Sequence, residues 1–415
     1  MQSKNFVVIG AGVVGLTSAW ALLEAGHRVR IVERDAPGQG ASHANGGQLS
    51  YRYVSPLADA GVPFKALRWL MDPDGPLRFR LEADPAQWSW LAQFLLKCRA
   101  SVNRRATQRL LALGSLSQQT FQDWAAQLDW NGSVALREPG KLVIYRQPGE
   151  FAKVRARMAD TGVEQALDAD ACVALEPALT HARGVLAGGI FTPGEAVADC
   201  HALCLHLLGK VQAHPGFDGL IQQAATGWNV EAGRPQLRTS GGELKADAYL
   251  IAAGLHSRPL AAPLGIRLPL YPLKGYSLTA PIREEHRPPE VSVTDFERKI
   301  LYARMGTRLR VAAMADLVGE NLDLDPHRLA SLHRSVRAMF PDAADYDAAE
   351  PWAGLRPATP GGTPILGASP LPGVWLNVGH GALGFTFSFA SARIVASLMS
   401  GLPSPLALDG FTLGT

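Results

Sequence analysis

Cysteine is scarce: the 415 residues hold four, Cys98, Cys172, Cys200 and Cys204. Only the last two fall one helical turn apart. No other Cys or His pair completes a metal set and no iron–sulfur spacing is present, so the thiols read as reduced and mostly buried. An excess of one charge is also lacking. The formal net charge is +3, with no basic tail and no RNA-binding motif, which excludes nucleic acid as the expected partner. No apolar run reaches the length of a membrane span. The chain opens directly on an apolar strand, so no cleaved leader is expected. The expectation is residence in the cytoplasm, or on the cytoplasmic face of the inner membrane. Low-complexity tracts are missing, and the single internal echo is a glycine pattern that occurs twice.

What is there is a globular composition, 47% hydrophobic and 19% charged, in a chain long enough for two cores. The informative stretch comes first. Phe6, Val7, Val8 and Ile9 read as a buried parallel strand. They run into Gly10-Ala11-Gly12-Val13-Val14-Gly15, then a helical pattern (Leu16, Ala19, Trp20, Leu23) that stops near Gly26. A second strand, Val29 to Val32, ends on Glu33. The three glycines serve separate ends. Gly10 allows the tight turn, Gly12 lets backbone approach a pyrophosphate, and Gly15 permits close helix–strand packing. The helix N-terminus offers N–H groups to phosphate, and Glu33 is placed to accept from a ribose. The second copy, Gly379-His380-Gly381-Ala382-Leu383-Gly384, has no second strand or acid behind it. Only the first copy predicts a dinucleotide site.

Residues 35–50 form a long glycine-rich loop from which Ser42, Asn45 and Gln48 can reach the same pyrophosphate; a plain connector is the alternative. Residues 60–130 read as helices broken by Pro63, Pro73, Pro76 and Pro85. Between Pro85 and Asp123 there is no acid, while Lys97, Arg99, Arg104, Arg105 and Arg109 are basic; Trp88, Trp90, Leu91, Phe94 and Leu95 interleave as an apolar face. Two readings are open for 97–109: a surface for an anionic membrane or partner subunit, or a solvated side over a core face. Strands are expected at 140–145, 188–192, 247–254, 268–271, 275–279, 300–302, 309–313 and 374–378, with helical, linker-like sequence over 146–187. Asp199 reads as a helix N-cap, and a helix is expected over 386–400.

With these pieces in place, the chain resembles the FAD-dependent D-amino-acid oxidase family, most closely its bacterial D-amino-acid dehydrogenase branch. The resemblance rests on Gly10-Ala-Gly-Val-Val-Gly15, Ala44-Asn-Gly-Gly-Gln-Leu-Ser50, the text from Gly61 to Trp69, Tyr271-Pro-Leu-Lys-Gly-Tyr-Ser-Leu-Thr279, Trp352-Ala-Gly-Leu-Arg-Pro357 and Gly379-His-Gly-Ala-Leu-Gly384. The Asn-Gly-Gly-Gln-Leu-Ser form and Val54-Ser-Pro-Leu-Ala-Asp59 are similar to the branch that oxidises D-hydroxyproline. The implied fold is α/β: a Rossmann-like FAD-binding domain (1–50, 195–265 and 350–415) with an inserted α+β substrate domain (51–194 and 266–349) built on an antiparallel sheet.

The resemblance implies FAD held by Gly10, Ala11, Gly12, Val13, Val14, Gly15, Glu33 and Arg34; by Ser42, Asn45, Gly46, Gly47 and Gln48; by Ala252, Ala253 and Gly254; and by Gly354, Gly381, Ala382, Leu383, Gly384 and Thr386. Arg356 matches the carboxylate-binding arginine, a role suited to a guanidinium fork that stays charged in a closed site; a structural salt bridge is the alternative. Tyr53 and Tyr276 are candidates to close over the substrate, ahead of Tyr271 and Tyr302, and His380 is expected beside the flavin. Some members carry a base where Ala382 stands here, which leaves the carboxylate more dependent on Arg356. Between Gly209 and Glu243 the family's strand pattern is not legible, and no FAD contact is assigned there. The implied reaction is hydride transfer from the Cα of a D-amino acid, D-proline or hydroxy-D-proline, to flavin N5. Electrons then pass to a quinone or a partner redox subunit. A glycine- or sarcosine-type oxidase using O₂, and a flavin-binding scaffold subunit, are the rival readings.

Overall fold

A computed structural model describes residues 2–63, 72, 74–130, 132–158, 162–231 and 233–414. Phe64 to Trp69 of the family-like text, and Pro73, lie outside the described residues. The opening βαβ unit forms as the pattern predicts: strand Asn5–Ile9, helix Val13–Glu24, strand Arg28–Glu33. Asn5–Ile9 pairs in parallel with Arg28–Glu33 on one side and Ala248–Ile251 on the other. Phe217–Gln222 and Val374–Val378 extend the sheet in parallel, and Ile365–Ala368 closes one edge antiparallel.

Alternation explains why this strand has no polar face. Phe6 and Val8 enter one core with the helices Val13–Glu24, Cys200–Ala213 and Gly384–Met399. Val7 and Ile9 enter a second core with Trp228 and Leu237. Those two residues come from a three-stranded sheet, Ala225–Glu231, Arg234–Thr239 and Gly242–Leu244. The stretch between Gly209 and Glu243, which carries no legible strand pattern, therefore supplies a strand of the main sheet and the cover of its second face. Its signal is weak because Phe217–Gln222 is only half-buried and carries Asp218 and Gly219.

Among the described residues the second sheet has nine strands: Glu350–Ala358, Tyr271–Pro281, Arg308–Leu317, Ile300–Met305, Ser292–Asp295, Lys141–Tyr145, Gly188–Thr192 and Gln165–Leu167 in that order, with Leu77–Phe79 beside Arg308–Leu317. Pairing is antiparallel except between Ser292–Asp295 and Lys141–Tyr145 and between Arg308–Leu317 and Leu77–Phe79. Tyr271 opens its strand, so 268–270 is not strand. Glu350–Ala358, from the stretch assigned to the nucleotide-binding part, is the edge strand of this sheet. Helix Pro326–Met339 covers one face through Leu332, Val336 and Met339. The other face looks toward the nucleotide-binding sheet.

Two helices fill the 85–128 stretch. In Pro85–Lys97, Trp90 is buried with Leu91 and Phe94 packed near it, while Trp88 and Leu95 point outward. The expected apolar face is thus split across two sides of the helix. Ala100–Leu128 buries Leu110, Leu113, Phe121 and Trp124 in the first core and exposes Arg104 and Arg105. It comes within reach of the 51–53 segment only because residue 114 is glycine, where a Cβ would lie 2.4 Å from the Tyr51 carbonyl oxygen. Gly114→Ala, ordinarily stabilising inside a helix by about 0.5–1 kcal/mol, is expected here to destabilise by roughly 1–3 kcal/mol through overpacking. Urea unfolding of the two proteins checks the sign.

Candidate active site

A continuous cavity of about 2560 Å³ runs from the βαβ turn to the underside of the second sheet. That is larger than a drug-sized ligand needs. Its roof is one cross-strand row. Trp352 pairs with Ser277, Ser277 with Ala312, Ala312 with Leu301, Leu301 with Thr294, Thr294 with Val143, and Val143 with Ile190. Every residue of that row lines the cavity. Residues 44–50 cross beneath it. The Ser277 hydroxyl donates to the Ala44 carbonyl at 2.7 Å, and Arg310 donates to the Asn45 carbonyl at 2.7 Å. Gly46 sits under Leu301 and Ala312, and the Gln48 amide reaches Ser292 and Thr294.

At the other end lies a cradle whose shape suits a dinucleotide. A Cβ on Gly15 would lie 1.9 Å from the Gly10 carbonyl, and one on Gly10 would lie 2.6 Å from that of Ala252. The helix start is therefore clamped against two strand ends, with the Ser42 hydroxyl accepting from Val13 N–H at 3.0 Å. Glu33 accepts from Ala11 N–H at 2.7 Å and Asp35 N–H at 3.1 Å, one on each oxygen, so each oxygen keeps a lone pair for a ribose hydroxyl. Glu33 pairs in register with Gln222, which brings Gln223 to Thr226 into the wall beside it. These residues fit the cofactor.

Of the residues assigned to it, Gly10, Gly12, Val13, Val14, Glu33, Arg34, Ser42, Asn45, Gly46, Gly47, Gln48, Ala252, Ala253, Gly254, Gly354, Gly381, Ala382, Leu383 and Gly384 line the cavity. Ala11 and Gly15 build the turn behind it. Thr386 is buried off the lining, where its hydroxyl accepts from Ser50 N–H at 3.1 Å and so ties the helix start to the 44–50 segment.

Arg356 faces the cavity from the Glu350–Ala358 strand. Gly275 and Gly354 are opposite one another in register; the Arg356 guanidinium lies over the first and the Trp352 indole over the second. The Arg308–Leu317 strand carries a bulge opposite Gly275, where Met314 takes φ +69° and its carbonyl accepts from Arg356 Nη1 at 2.8 Å. Burial lowers the guanidinium's pKa and Asp316 partly offsets this, which leaves a group that starts above 12 still charged. Asp316 itself is engaged by Arg328. Among the described residues Arg356 has no carboxylate partner within salt-bridge distance, so the structural salt bridge considered for it does not form.

Three other candidates are placed differently. Gly275, Tyr276 and Ser277 all border the cavity, but strand alternation packs the Tyr276 side chain into the core with Leu278, Leu332 and Val336. Burial and the nearby Asp316 push its phenol up to about 12. The residue is only 2% exposed in this arrangement. His380 lines the cavity, but its ring is buried, its Nε2 is 3.1 Å from the Ser391 hydroxyl, and desolvation pulls its pKa down to about 3. It is neutral throughout the working range. Tyr53 presents 38% of its surface and lines the cavity. It packs over the Lys141 ammonium at 4.2 Å, five strands along the roof from Arg356. Five spacings of about 4.8 Å make roughly 24 Å along the sheet. Tyr271 and Tyr302 are buried in the cores, the Tyr271 hydroxyl taking a bond from Gln87. The site also contains Gly275, Met314, Lys141 and Glu195, to which the sequence assigns no role. A lone lysine opening the apolar run Leu142 to Tyr145 is the available signal for one of them.

The layout defines a class: a dinucleotide-dependent oxidoreductase whose chamber is roofed by a second sheet and offers a cation, Arg356, to a small anion. Comparison with known proteins makes the class specific. The model of the FAD dependent oxidoreductase family (DAO) matches residues 5–398, and the chain belongs to that family. It is 49% identical to D-amino acid dehydrogenase 2 of Pseudomonas aeruginosa over 99% of this chain and 98% of the relative. It is 46% identical to D-amino acid dehydrogenase 2 of Ralstonia nicotianae over 99% of each. The glycine oxidase structure from Geobacillus kaustophilus superposes with a TM-score of 0.76, covering 100% of this chain and 99% of the other at 21% identity, which speaks to the fold. Members of this family depend on FAD. Gly15→Val, which cannot be accommodated beside the Gly10 carbonyl, is expected to cut bound flavin at least about tenfold. Flavin absorbance per polypeptide after gel filtration measures it.

Proposed function

We propose that this chain is a FAD-dependent D-amino acid dehydrogenase that oxidises D-proline or hydroxy-D-proline to the imine and passes the electrons to a quinone or a partner redox subunit. The observation that carries the reading is the Arg356 guanidinium, turned into the cavity without a carboxylate of its own among the described residues. A substrate carboxylate completes it with two parallel hydrogen bonds. Met314 fixes the fork by holding one nitrogen, and the low-dielectric surroundings strengthen the pair. FAD, when bound, supplies the acceptor for the hydride that leaves the substrate Cα. Neither neighbouring candidate serves as a side-chain base: desolvation leaves the His380 ring, bonded to Ser391, too weakly basic to take the proton, and the Tyr276 ring is packed in the core. The substrate amine therefore arrives neutral, its proton already lost to solvent. The protein's contribution is orientation in a closed chamber. The names of the relatives support D-amino acids as the substrate class.

Removing a buried charge partner costs about 2–5 kcal/mol, so Arg356→Met is expected to raise KM for D-proline by roughly 30-fold or more with flavin content unchanged. Arg356→Lys recovers part of the loss, because it keeps the charge but not the fork. Steady-state rates with a soluble quinone, alongside a peroxide assay in air, test the function. Turnover of D-proline with quinone and little peroxide supports it; stoichiometric peroxide makes the protein an oxidase, and wild-type KM in Arg356→Met removes the carboxylate site.

For the acceptor side we propose the helix Pro85–Lys97. Trp90 and Phe94, stacked at 5.2 Å, line the cavity, while Trp88, Leu95 and Leu96 stand 51%, 55% and 60% exposed on its outer side. No acid lies between Pro85 and Asp123. This is the composition of a helix that rests on an anionic bilayer. Sedimentation with phosphatidylglycerol vesicles is expected to pull down the protein, and Leu95→Ser/Leu96→Ser and Arg104→Gln/Arg105→Gln each to release it. Undiminished binding by both double variants would sink the assignment.

A further inference from the structure

Strand alternation sends Leu142 and Ile144 into the helix-covered core and leaves Lys141, Val143 and Tyr145 on the cavity side. A lysine is therefore buried, at 3% exposure, in a row otherwise lined by small and apolar groups. A buried ammonium persists only when it is paired and hydrogen-bonded. Lys141 Nζ donates to Gln48 Oε1 at 2.9 Å and Ser50 Oγ at 2.8 Å, and it stands 4.2 Å from the centre of the Tyr53 ring. Glu195, also buried, accepts from the N–H groups of Tyr51 and Arg52, each at 2.9 Å, and its carboxylate acts on Lys141 across Ser50. Gln48 is the link to the roof. Its Nε2 donates to Ser292 and Thr294, so its Oε1 is left for Lys141, and the amide has one orientation that satisfies all three.

We propose that Lys141 is a positioning residue of the cavity wall beside the cofactor residue Gln48: its ammonium, balanced by Glu195, orients the Gln48 amide and seats the Tyr53 ring, and that wall is set only while the ammonium keeps its proton. The titratable groups facing it are Glu195, Tyr51 and Tyr53, with Tyr145 on its own strand and the hydroxyls of Thr192 and Ser292 on the flanking strands. Burial pulls the Lys141 pKa down to about 8, against the pull of Glu195. The same burial pushes Tyr53 up to about 12, and Tyr51 and Tyr145 up as well. Glu195 is raised by burial and restrained by Lys141 and its two N–H donors. Burial thus brings the Lys141 titration down toward neutral pH while it carries the Tyr51, Tyr53 and Tyr145 phenols further from it. Below its pKa the Gln48 and Tyr53 wall is set; above it, the Gln48 oxygen loses its charged donor.

The inference rests on the D-amino acid oxidation proposed above, and it is tested with two readouts, one of which needs no substrate. The first is kcat/KM for a D-amino acid against pH. The second is a pH titration of the bound flavin's absorbance in the holoenzyme. Both are expected to show a one-proton transition near pH 8 in the wild type, where the rise of kcat/KM that deprotonation of the substrate amine gives levels off. In Lys141→Met the transition vanishes from both, and kcat/KM at neutral pH drops roughly tenfold or more while flavin stays bound. Glu195→Gln removes the charge that holds the Lys141 proton, so its transition moves to lower pH. Tyr53→Phe leaves the transition where it is. An unmoved transition in Lys141→Met, even with reduced activity, makes Lys141 merely structural and overturns the proposal. If that variant does not fold, an unmoved transition in Glu195→Gln overturns it alone. Failure of every D-amino acid as a substrate leaves the flavin titration to decide.

Discussion

The passage of residues 44–50 beneath the second sheet is the contact on which the rest of the site depends. Ser277 and Arg310 take the Ala44 and Asn45 carbonyls, Ser292 and Thr294 take the Gln48 amide, and Thr386 takes the Ser50 N–H. The segment follows the Arg28–Glu33 strand in sequence, so the same few residues leave the nucleotide-binding sheet and brace the roof. Glycines at 46 and 47 are what let it pass. A side chain at 46 would press into Leu301, and one at 47 would collide with Met305 and the Ala198 carbonyl. Moving this segment would change the dinucleotide cradle and the chamber together.

Chemistry at the Arg356 end follows from two local departures in an otherwise regular sheet. Paired glycines at 275 and 354 clear a slot in adjacent strands, and the bulge at Met314 turns a carbonyl into it. A guanidinium can then lie flat on the sheet, held at one nitrogen, with its remaining donors directed at the cavity. Asp316 is the anion that acts on it, but Arg328 holds Asp316. The fold thus keeps a buried positive charge incompletely matched, a costly arrangement in a protein interior unless a ligand completes it. At the opposite end of the roof, Lys141 and Glu195 form a matched pair, which suits an anchor rather than a binding group.

The nucleotide half is readable in the sequence because its chemistry is local. Gly10, Gly12, Gly15 and Glu33 fall within one βαβ unit, and each residue type has a steric or hydrogen-bonding reason tied to that unit. Arg356 is readable through a family-like motif, not through periodicity. Tyr276 borders the cavity but packs its side chain into the helix-covered core, although its strand is where the sequence puts it, because a motif names the residue and strand alternation decides its face. His380 borders the cavity, but a histidine in a glycine turn gives no sign of whether its ring will be desolvated. Phe217–Gln222 and the small sheet after it escape a pattern reading since half-buried strands with polar residues carry little alternation. Lys141 and Glu195 lie 54 residues apart and meet only through Ser50, so no local pattern could pair them.

The reaction class is tested most directly by anaerobic mixing of the flavin-loaded protein with D- and L-enantiomers of proline and of a set of other amino acids, following loss of the oxidised flavin absorbance. Complete bleaching is predicted with D-proline or hydroxy-D-proline, weaker bleaching with other D-amino acids, and none with the L-isomers or glycine. Bleaching by L-isomers or glycine alone would contradict the assigned substrate class. A flavin that no amino acid reduces would contradict the assignment of an amino acid dehydrogenase altogether.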